Sequence, residues 1–96
     1  MMILKPEETE LHGRWQIIDG KILPDATCNR IDFLVQKYLT KLKTDCSGWD
    51  ILYQDPMDKR FWELLYLESD SHGGGPPSLV IIEKEEAKKK YNLENI

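Results

Sequence analysis

The stretch WDILYQDPMDKRFWELLYL, residues 49–67, predicts two antiparallel strands joined by a tight turn. Apolar and polar residues alternate on either side of Asp55-Pro56, and a period of two is typical of strands that bury one face. Because proline fixes φ and aspartate can hydrogen-bond its own backbone, the turn is predicted at residues 55–58. The predicted inner face carries Trp49, Ile51, Tyr53, Trp62, Leu64 and Tyr66. The predicted outer face combines carboxylates with apolar groups, namely Asp50, Leu52, Gln54, Phe61, Glu63 and Leu65.

The segment before this hairpin predicts one long helix between Ala26 and Lys43. Its apolar residues recur at spacings of three and four, the period of a helix with one buried face. Asp25 is placed to cap the N-terminus of this helix, with Thr27 as a rival cap. Further upstream, two short strands are predicted around Asp19-Gly20, a dipeptide typical of tight turns because glycine accepts positive φ. The apolar residues of the predicted helix are Cys28, Ile31, Leu34, Val35, Tyr38, Leu39 and Leu42.

The segment after the hairpin predicts one more strand and one more helix. Residues 78–83 contain four consecutive apolar residues, which favours a strand in the middle of a sheet. Residues 83–91 are predicted to form a short helix, supported weakly by a Glu86–Lys90 pair four residues apart. This order of elements predicts an α+β fold, with an antiparallel or mixed sheet of about four to five strands packed on one face by the long helix. At 96 residues, the chain is predicted to form a single domain, residues 1–96.

The negative charge of the chain is concentrated in one region. The formal net charge is −4, and residues 44–70 hold seven acids against Lys59 and Arg60. An acidic balance disfavours nucleic-acid binding, which depends on basic side chains releasing counterions from phosphates, and it favours a basic protein partner. The N-terminus lacks the apolar run of a signal peptide, and no stretch reaches the ~18 apolar residues of a membrane span. We therefore expect a cytoplasmic protein that binds neither nucleic acid nor membranes.

No motif in the sequence predicts catalysis or a cofactor. His72-Gly73-Gly74-Gly75 matches an oxyanion loop of some esterases, but the chain has no Gly-x-Ser-x-Gly elbow and is too short for the sheet on which that loop depends. Neither a Lys-Ser/Thr pair nor a helix follows these glycines, which disfavours a phosphate-binding loop. Cys28 and Cys46 share no metal-ligand spacing with the two histidines, so two reduced thiols are expected. We expect a protein that is not an enzyme and that needs neither a cofactor nor a metal.

A set of short motifs lies in order along nearly the full length of the chain. They are Lys5-Pro6-Glu7-Glu8-Thr9-Glu10-Leu11, Gly13, Trp15, Asp19-Gly20, the predicted helix, Ser47-Gly48-Trp49, Leu52-Tyr53-Gln54-Asp55-Pro56, Arg60-Phe61-Trp62-Glu63-Leu64 and His72-Gly73-Gly74-Gly75-Pro76-Pro77. With these motifs the sequence resembles the immunity protein 27 family, and the most specific part of the resemblance is the combination of the hairpin with the glycine loop at these spacings. The resemblance implies a small α+β protein that is the antidote half of a bacterial polymorphic toxin system. It implies that the protein binds and blocks a toxin domain encoded beside it, without catalysis.

The outer face of the hairpin and the glycine loop are the predicted partner-binding surface. The acids would complement the basic substrate-binding surface of a toxin such as a nuclease. Phe61, Trp62 and His72 are the predicted anchors, because aromatic residues tend to supply most of the energy of an interface. The predicted partner-binding residues are Asp50, Asp55, Asp58, Phe61, Trp62, Glu63, Asp70, His72, Gly73, Gly74 and Gly75.

Two other functional classes stay open at the level of the sequence. One is a small ligand-binding or metal-binding domain that uses Asp55, Asp58 and His72 around the loop. The other is a general protein-interaction module with an unrelated partner. The oligomeric state, the identity and activity of the toxin, and the way in which its active site would be blocked are likewise not predicted.

Overall fold

The computed structural model describes residues 4–66 and 75–93. The elements are β1 (Glu10–His12), β2 (Trp15–Ile18), β3 (Lys21–Pro24), α1 (Ala26–Phe33), β4 (Thr40–Thr44), β5 (Ile51–Gln54), β6 (Phe61–Leu65), β7 (Ser78–Ile82) and α2 (Lys84–Lys90). The largest unit is a five-stranded antiparallel sheet with the strand order β1-β7-β6-β5-β4. A second, two-stranded antiparallel sheet of β2 and β3 is separate from it. Together with the two helices this confirms the predicted α+β fold.

The predicted hairpin is present as β5 and β6, with the register that the alternation indicates. Tyr53 lies opposite Trp62, and both side chains are buried in the core. The prediction that Trp49 belongs to this inner face is wrong, because its side chain is 65% exposed. It precedes β5 and follows Gly48, whose φ of +83° turns the chain before the strand begins. Residue 49 therefore has no cross-strand neighbour to hold it against the core.

The predicted helix over residues 26–43 is correct at its start and wrong at its end. The Asp25 carboxylate accepts a hydrogen bond from the Cys28 N–H at 2.8 Å, which confirms the predicted cap. After α1 the chain makes a five-residue π-helical turn, Leu34–Tyr38, and becomes extended at Leu39 with ψ of 149°. Residues 40–44 then pair with β5 as an edge strand. Pairing with β5 outweighs the helical spacing of Leu39 and Leu42, and the two β-branched threonines of this segment suit a strand.

The five-stranded sheet is covered on both faces, whereas the sequence predicted a cover on one. The α1 side holds the larger core, in which Ile31, Leu34, Trp62 and Leu79 are fully buried. On the opposite side α2 packs over the hairpin, and a second cluster forms from Leu52, Ala87 and Tyr91, with Phe61 and Ile82 against it. The expectation that Leu52 and its neighbours form an exposed outer face is therefore wrong. The face is closed because a short helix follows β7 directly.

The small sheet of β2 and β3, called the β2–β3 ribbon below, stands apart from both cores. Its turn has positive φ at Asp19 (51°) and Gly20 (76°), which confirms the predicted tight turn. Positive φ at both central residues is typical of a type I′ turn, whose twist matches that of the two strands it joins. All eight strand residues of the ribbon are exposed. At its base the Asp25 N–H donates to the Arg14 carbonyl at 3.1 Å. The ribbon is thus fixed at its base beside α1, and Ile17 and Ile22 are its most exposed large apolar residues.

Candidate functional site

Two of the predicted contact acids, Asp50 and Glu63, face α2 instead of solvent. Lys90 Nζ lies 2.5 Å from Glu63 Oε2 and 2.9 Å from Asp50 Oδ2, so one ammonium group joins both carboxylates. The Tyr91 hydroxyl donates to the same Glu63 oxygen at 2.9 Å. Burial, together with the hydrogen bond to Glu63, raises the pKa of Tyr91 above its usual range. These groups hold α2 against the sheet and have their partners within the chain.

Lys90 has a pKa raised by this arrangement. Burial alone would lower the pKa of an ammonium group, but its hydrogen bonds to Glu63 and Asp50 outweigh that effect. Lys90 stays charged as a result, and its charge balances one of the two carboxylates. The predicted Glu86–Lys90 pair within the helix is therefore replaced by contacts across to the sheet.

Asp55 is a buried structural residue of the hairpin turn. Its side chain is 1% exposed, and its Oδ1 accepts from the Tyr38 hydroxyl and from the Met57 N–H, each at 2.8 Å. Burial, with this hydrogen bond as a second cause, raises the pKa of Tyr38 to about 12. The carboxylate joins the turn to the end of the π-helical turn and is not accessible to a partner in this conformation.

Asp58 lies at the surface but has a cation beside it. Arg60 Nε is 2.6 Å from Asp58 Oδ2, and the same guanidinium donates to the carbonyls of Glu8 at 2.6 Å and Lys5 at 3.0 Å. The guanidinium carbon also lies 5.0 Å from the centre of the Trp62 ring. Arg60 thus fastens the N-terminal segment to the hairpin, and Asp58 is a member of that cluster.

The remaining predicted contact residues divide into buried ones and ones outside the described part of the chain. Trp62 is fully buried in the larger core, so it packs the sheet and does not present a surface to a partner. Phe61 is partly buried against the α2 cluster, and Gly75 is buried. The structure therefore does not assemble the predicted surface as one exposed face. The predicted contacts at Asp70, His72, Gly73 and Gly74 lie outside the described residues.

The structure displays an apolar surface that the sequence analysis did not predict. On one face of the β2–β3 ribbon Ile17 lies opposite Ile22, and these side chains are 75% and 69% exposed. Trp15 lies on the same face at 42% exposure, and the other face mixes Ile18 and Leu23 with Gln16 and Lys21. A signal was present in the sequence, because several large apolar residues close to a tight turn indicate either a buried strand or a docking surface.

The comparisons with known proteins place the chain in a family. The model of the family described as immunity protein 27 matches residues 17–83, well over half of the chain. The chain belongs to the immunity protein 27 family. No curated protein and no solved structure matches it. The match confirms the resemblance drawn from the hairpin and the glycine loop.

As an immunity protein, the chain has a toxin as its general class of partner. Two surfaces of this family member can be compared for that role. The hairpin offers acids that already have partners in the chain, and the β2–β3 ribbon offers large apolar side chains that are exposed to water. Exposed apolar clusters of this kind mark interaction sites more often than single apolar residues do.

The alternative of a metal or small-ligand site has little structure to support it among the described residues. Within residues 4–66 and 75–93, no three His, Cys, Asp or Glu side chains are placed to hold a metal ion. Cys28 is buried and Cys46 exposed, and both are free thiols. An open cleft of about 310 Å³ lies beside the hairpin turn, but its Arg60 already binds Asp58 and three backbone carbonyls of the N-terminal segment. In the described part of the chain, no helix is both long and apolar enough to cross a membrane.

Proposed function

We propose that this immunity protein binds a cognate toxin domain of a bacterial polymorphic toxin system and blocks its activity in the cytoplasm of the producing cell. The family match over residues 17–83 carries this proposal. The mode of action is stoichiometric binding, and the protein performs no catalysis. The toxin domain is its macromolecular partner, and neither a cofactor nor a metal takes part.

The exposed apolar side chains support a protein partner. Most soluble proteins bury isoleucine and tryptophan, and a cluster of them in water lowers solubility unless a partner covers it. On this protein three isoleucines, one tryptophan and one leucine lie exposed within residues 15–24, all of them on the ribbon. Because an immunity protein binds a toxin, these exposed residues are suited to form the binding surface.

We also propose that the surface of the toxin domain is basic, as on a nuclease. The net charge of −4 supports it, because long-range attraction accelerates the encounter of oppositely charged proteins. In the final contact these acids contribute less, because Asp50, Glu63 and Asp58 are each ion-paired within the chain. Charge is therefore assigned to the association rate and not to the strength of the final contact.

The experiment that tests the function is co-expression. The toxin domain encoded immediately upstream of this gene is expressed in a sensitive bacterium, with and without this protein, and growth is measured. We expect growth arrest without the protein, rescue with it, and a complex that purifies from the rescued cells. Toxicity that persists with the protein present, with no complex formed, would overturn the proposal.

A further inference from the structure

One face of the β2–β3 ribbon is apolar, and the other mixes apolar with polar side chains. Residues directly opposite in an antiparallel pair share a face, so the apolar face holds Trp15, Ile17, Ile22 and Pro24, and the mixed face holds Gln16, Ile18, Lys21 and Leu23. All eight strand residues are exposed, Ile17 and Ile22 most of all among the large apolar ones. A ribbon that served only as a connection would not need isoleucines at these exposed positions.

The base of the ribbon is fixed to the body of the protein. The Gly13 N–H donates to the Pro77 carbonyl at 2.9 Å, and the Arg14 carbonyl accepts from the Asp25 N–H at 3.1 Å and from the Cys28 thiol at 3.4 Å. Gly13 is packed so closely that an added Cβ would lie 2.5 Å from Cys28 Sγ. These contacts set the direction of the ribbon, so little orientational freedom is lost when a partner binds it.

The charge of the ribbon excludes an electrostatic contact. Between residues 15 and 24 the charged residues are Asp19 and Lys21, which cancel. Both lie at or beside the turn, and the remainder of the ribbon is apolar apart from Gln16. The surface that matches the face of Trp15, Ile17 and Ile22 is therefore apolar, with room for two branched aliphatic side chains and one indole ring.

The apolar face needs one apolar surface to cover it. The family indicates what carries that surface, because an immunity protein has a toxin as its class of partner. A second copy of this chain laid ribbon to ribbon is the other candidate, and the oligomeric state of the wild type separates the two.

We infer that the ribbon face of Trp15, Ile17 and Ile22 packs against an apolar surface of the toxin domain and supplies the main binding contact. This inference rests on the proposed function, and it assigns the contact to the ribbon instead of the β5–β6 hairpin. The ribbon acts on the lifetime of the complex, whereas the net negative charge of the chain acts on the rate of encounter.

The test replaces the exposed isoleucine pair by an ion pair. Because Ile17 and Ile22 are directly opposite, Ile17→Lys with Ile22→Glu gives a cross-strand pair that keeps the ribbon paired and leaves the net charge unchanged. The matched control is Trp49→Lys with Met57→Glu, which makes the same change at two other highly exposed apolar positions, on the hairpin side. Binding to the purified toxin domain is measured by surface plasmon resonance on the full chain.

The ribbon variant is expected to bind about 100-fold more weakly or worse, mainly through faster dissociation, while the control stays within about threefold of wild type. Both variants should keep the thermal midpoint of the wild type, because no buried contact is removed. If the ion pair disturbs folding, Ile17→Thr with Ile22→Thr keeps the β-branched shape and replaces it in the test. A folded ribbon variant that binds like wild type would overturn the inference and leave the proposed function standing.

Two further outcomes separate the remaining possibilities. A wild-type protein that neither rescues growth nor forms a complex would overturn the proposed function, and the inference with it. A wild-type dimer in light scattering that becomes a monomer in the ribbon variant would show that a second copy occupies the ribbon, which also overturns the inference. Loss of rescue by the ribbon variant, with rescue by the control, would support it.

Discussion

The β5–β6 hairpin and the β2–β3 ribbon are both short antiparallel pairs closed by a turn that contains a residue with positive φ. The hairpin has a strand on each side and a helix layer on each face, and it buries even the carboxylate of Glu63. Within the described residues the ribbon pairs with no third strand, and it leaves Ile17 and Ile22 exposed to water. The burial of a strand is decided by the elements that pack on it, and the polarity of its own residues is a weaker guide.

The difference reverses the roles that polarity alone would assign. In the hairpin, acids bind Lys90, Arg60 and Tyr38 and so stabilise the fold. In the ribbon, apolar residues contribute nothing to the core and are available for recognition. The comparison therefore predicts that substitutions in the hairpin change stability and that substitutions in the ribbon change binding.

The largest expected effect is on the buried tryptophan of the hairpin. Trp62→Ala should lower the free energy of unfolding by about 3–5 kcal/mol, because it removes a fully buried aromatic side chain and leaves a cavity. Trp49→Ala, at an exposed tryptophan beside the same hairpin, should change it by no more than about 0.5 kcal/mol. Urea unfolding followed by circular dichroism measures both. If both substitutions lowered the free energy of unfolding equally, the assignment of Trp62 as buried and Trp49 as exposed would be contradicted.

The next effect concerns the junction between the sheet and the ribbon. Gly13→Ala should lower the free energy of unfolding by about 2–3 kcal/mol. The added Cβ would lie 2.5 Å from Cys28 Sγ and 2.8 Å from the Pro77 carbonyl oxygen, and the backbone oxygen has little room to move. Gly20→Ala is the control at the tip of the ribbon, where nothing lies within 4 Å of the added carbon. Its φ of +76° still gives a cost of about 1 kcal/mol. Thermal unfolding of the two variants should separate them, and a smaller loss for Gly13→Ala would contradict the tight junction.

A smaller effect is expected from the acid that holds α2. Glu63→Gln should lower the free energy of unfolding by about 1–2 kcal/mol, less than for a fully buried pair, because Lys90 is about a third exposed and keeps Asp50 as a partner. Glu86→Gln, on the exposed side of α2, is the matched control and should be nearly neutral. Hydrogen exchange of the α2 amides provides a second measurement. If the α2 amides of Glu63→Gln exchanged as slowly as those of the wild type, Glu63 would not hold α2 against the sheet.

The smallest effect is one of pH, at an ion pair outside the hairpin. Hydrogen bonds from Arg30, at 2.6 and 2.7 Å, lower the pKa of Glu8 to about 2 from its ordinary 4.5. Because the folded-state pKa is depressed, this pair stabilises the fold above about pH 4.5 and the contribution is lost as the pH falls through about 2. Glu8→Gln should lower the free energy of unfolding by about 1 kcal/mol at neutral pH. The effect is small because water screens the pair, since the side chains of Arg30 and Glu8 are both partly exposed. The difference from wild type in urea unfolding should shrink from pH 4.5 to pH 2, and a constant difference would contradict it.

Local patterns in the sequence were enough for the elements whose cause is local. The period of two around Asp55-Pro56, the Asp19-Gly20 turn and the Asp25 cap each depend on residues within a few positions, and all three are present. The α+β fold followed from their order. The family match agrees with the resemblance carried by the hairpin and the glycine loop.

Tertiary structure decided what those patterns left undetermined. Leu39 and Leu42 fit a helical spacing, and only the pairing of residues 40–44 with β5 makes them part of an extended segment. The partner of Glu63 is 27 residues away on α2, so its burial could not be read from its neighbours. In the candidate site this difference separates acids that bind within the chain from isoleucines left in water, because burial depends on which distant elements meet.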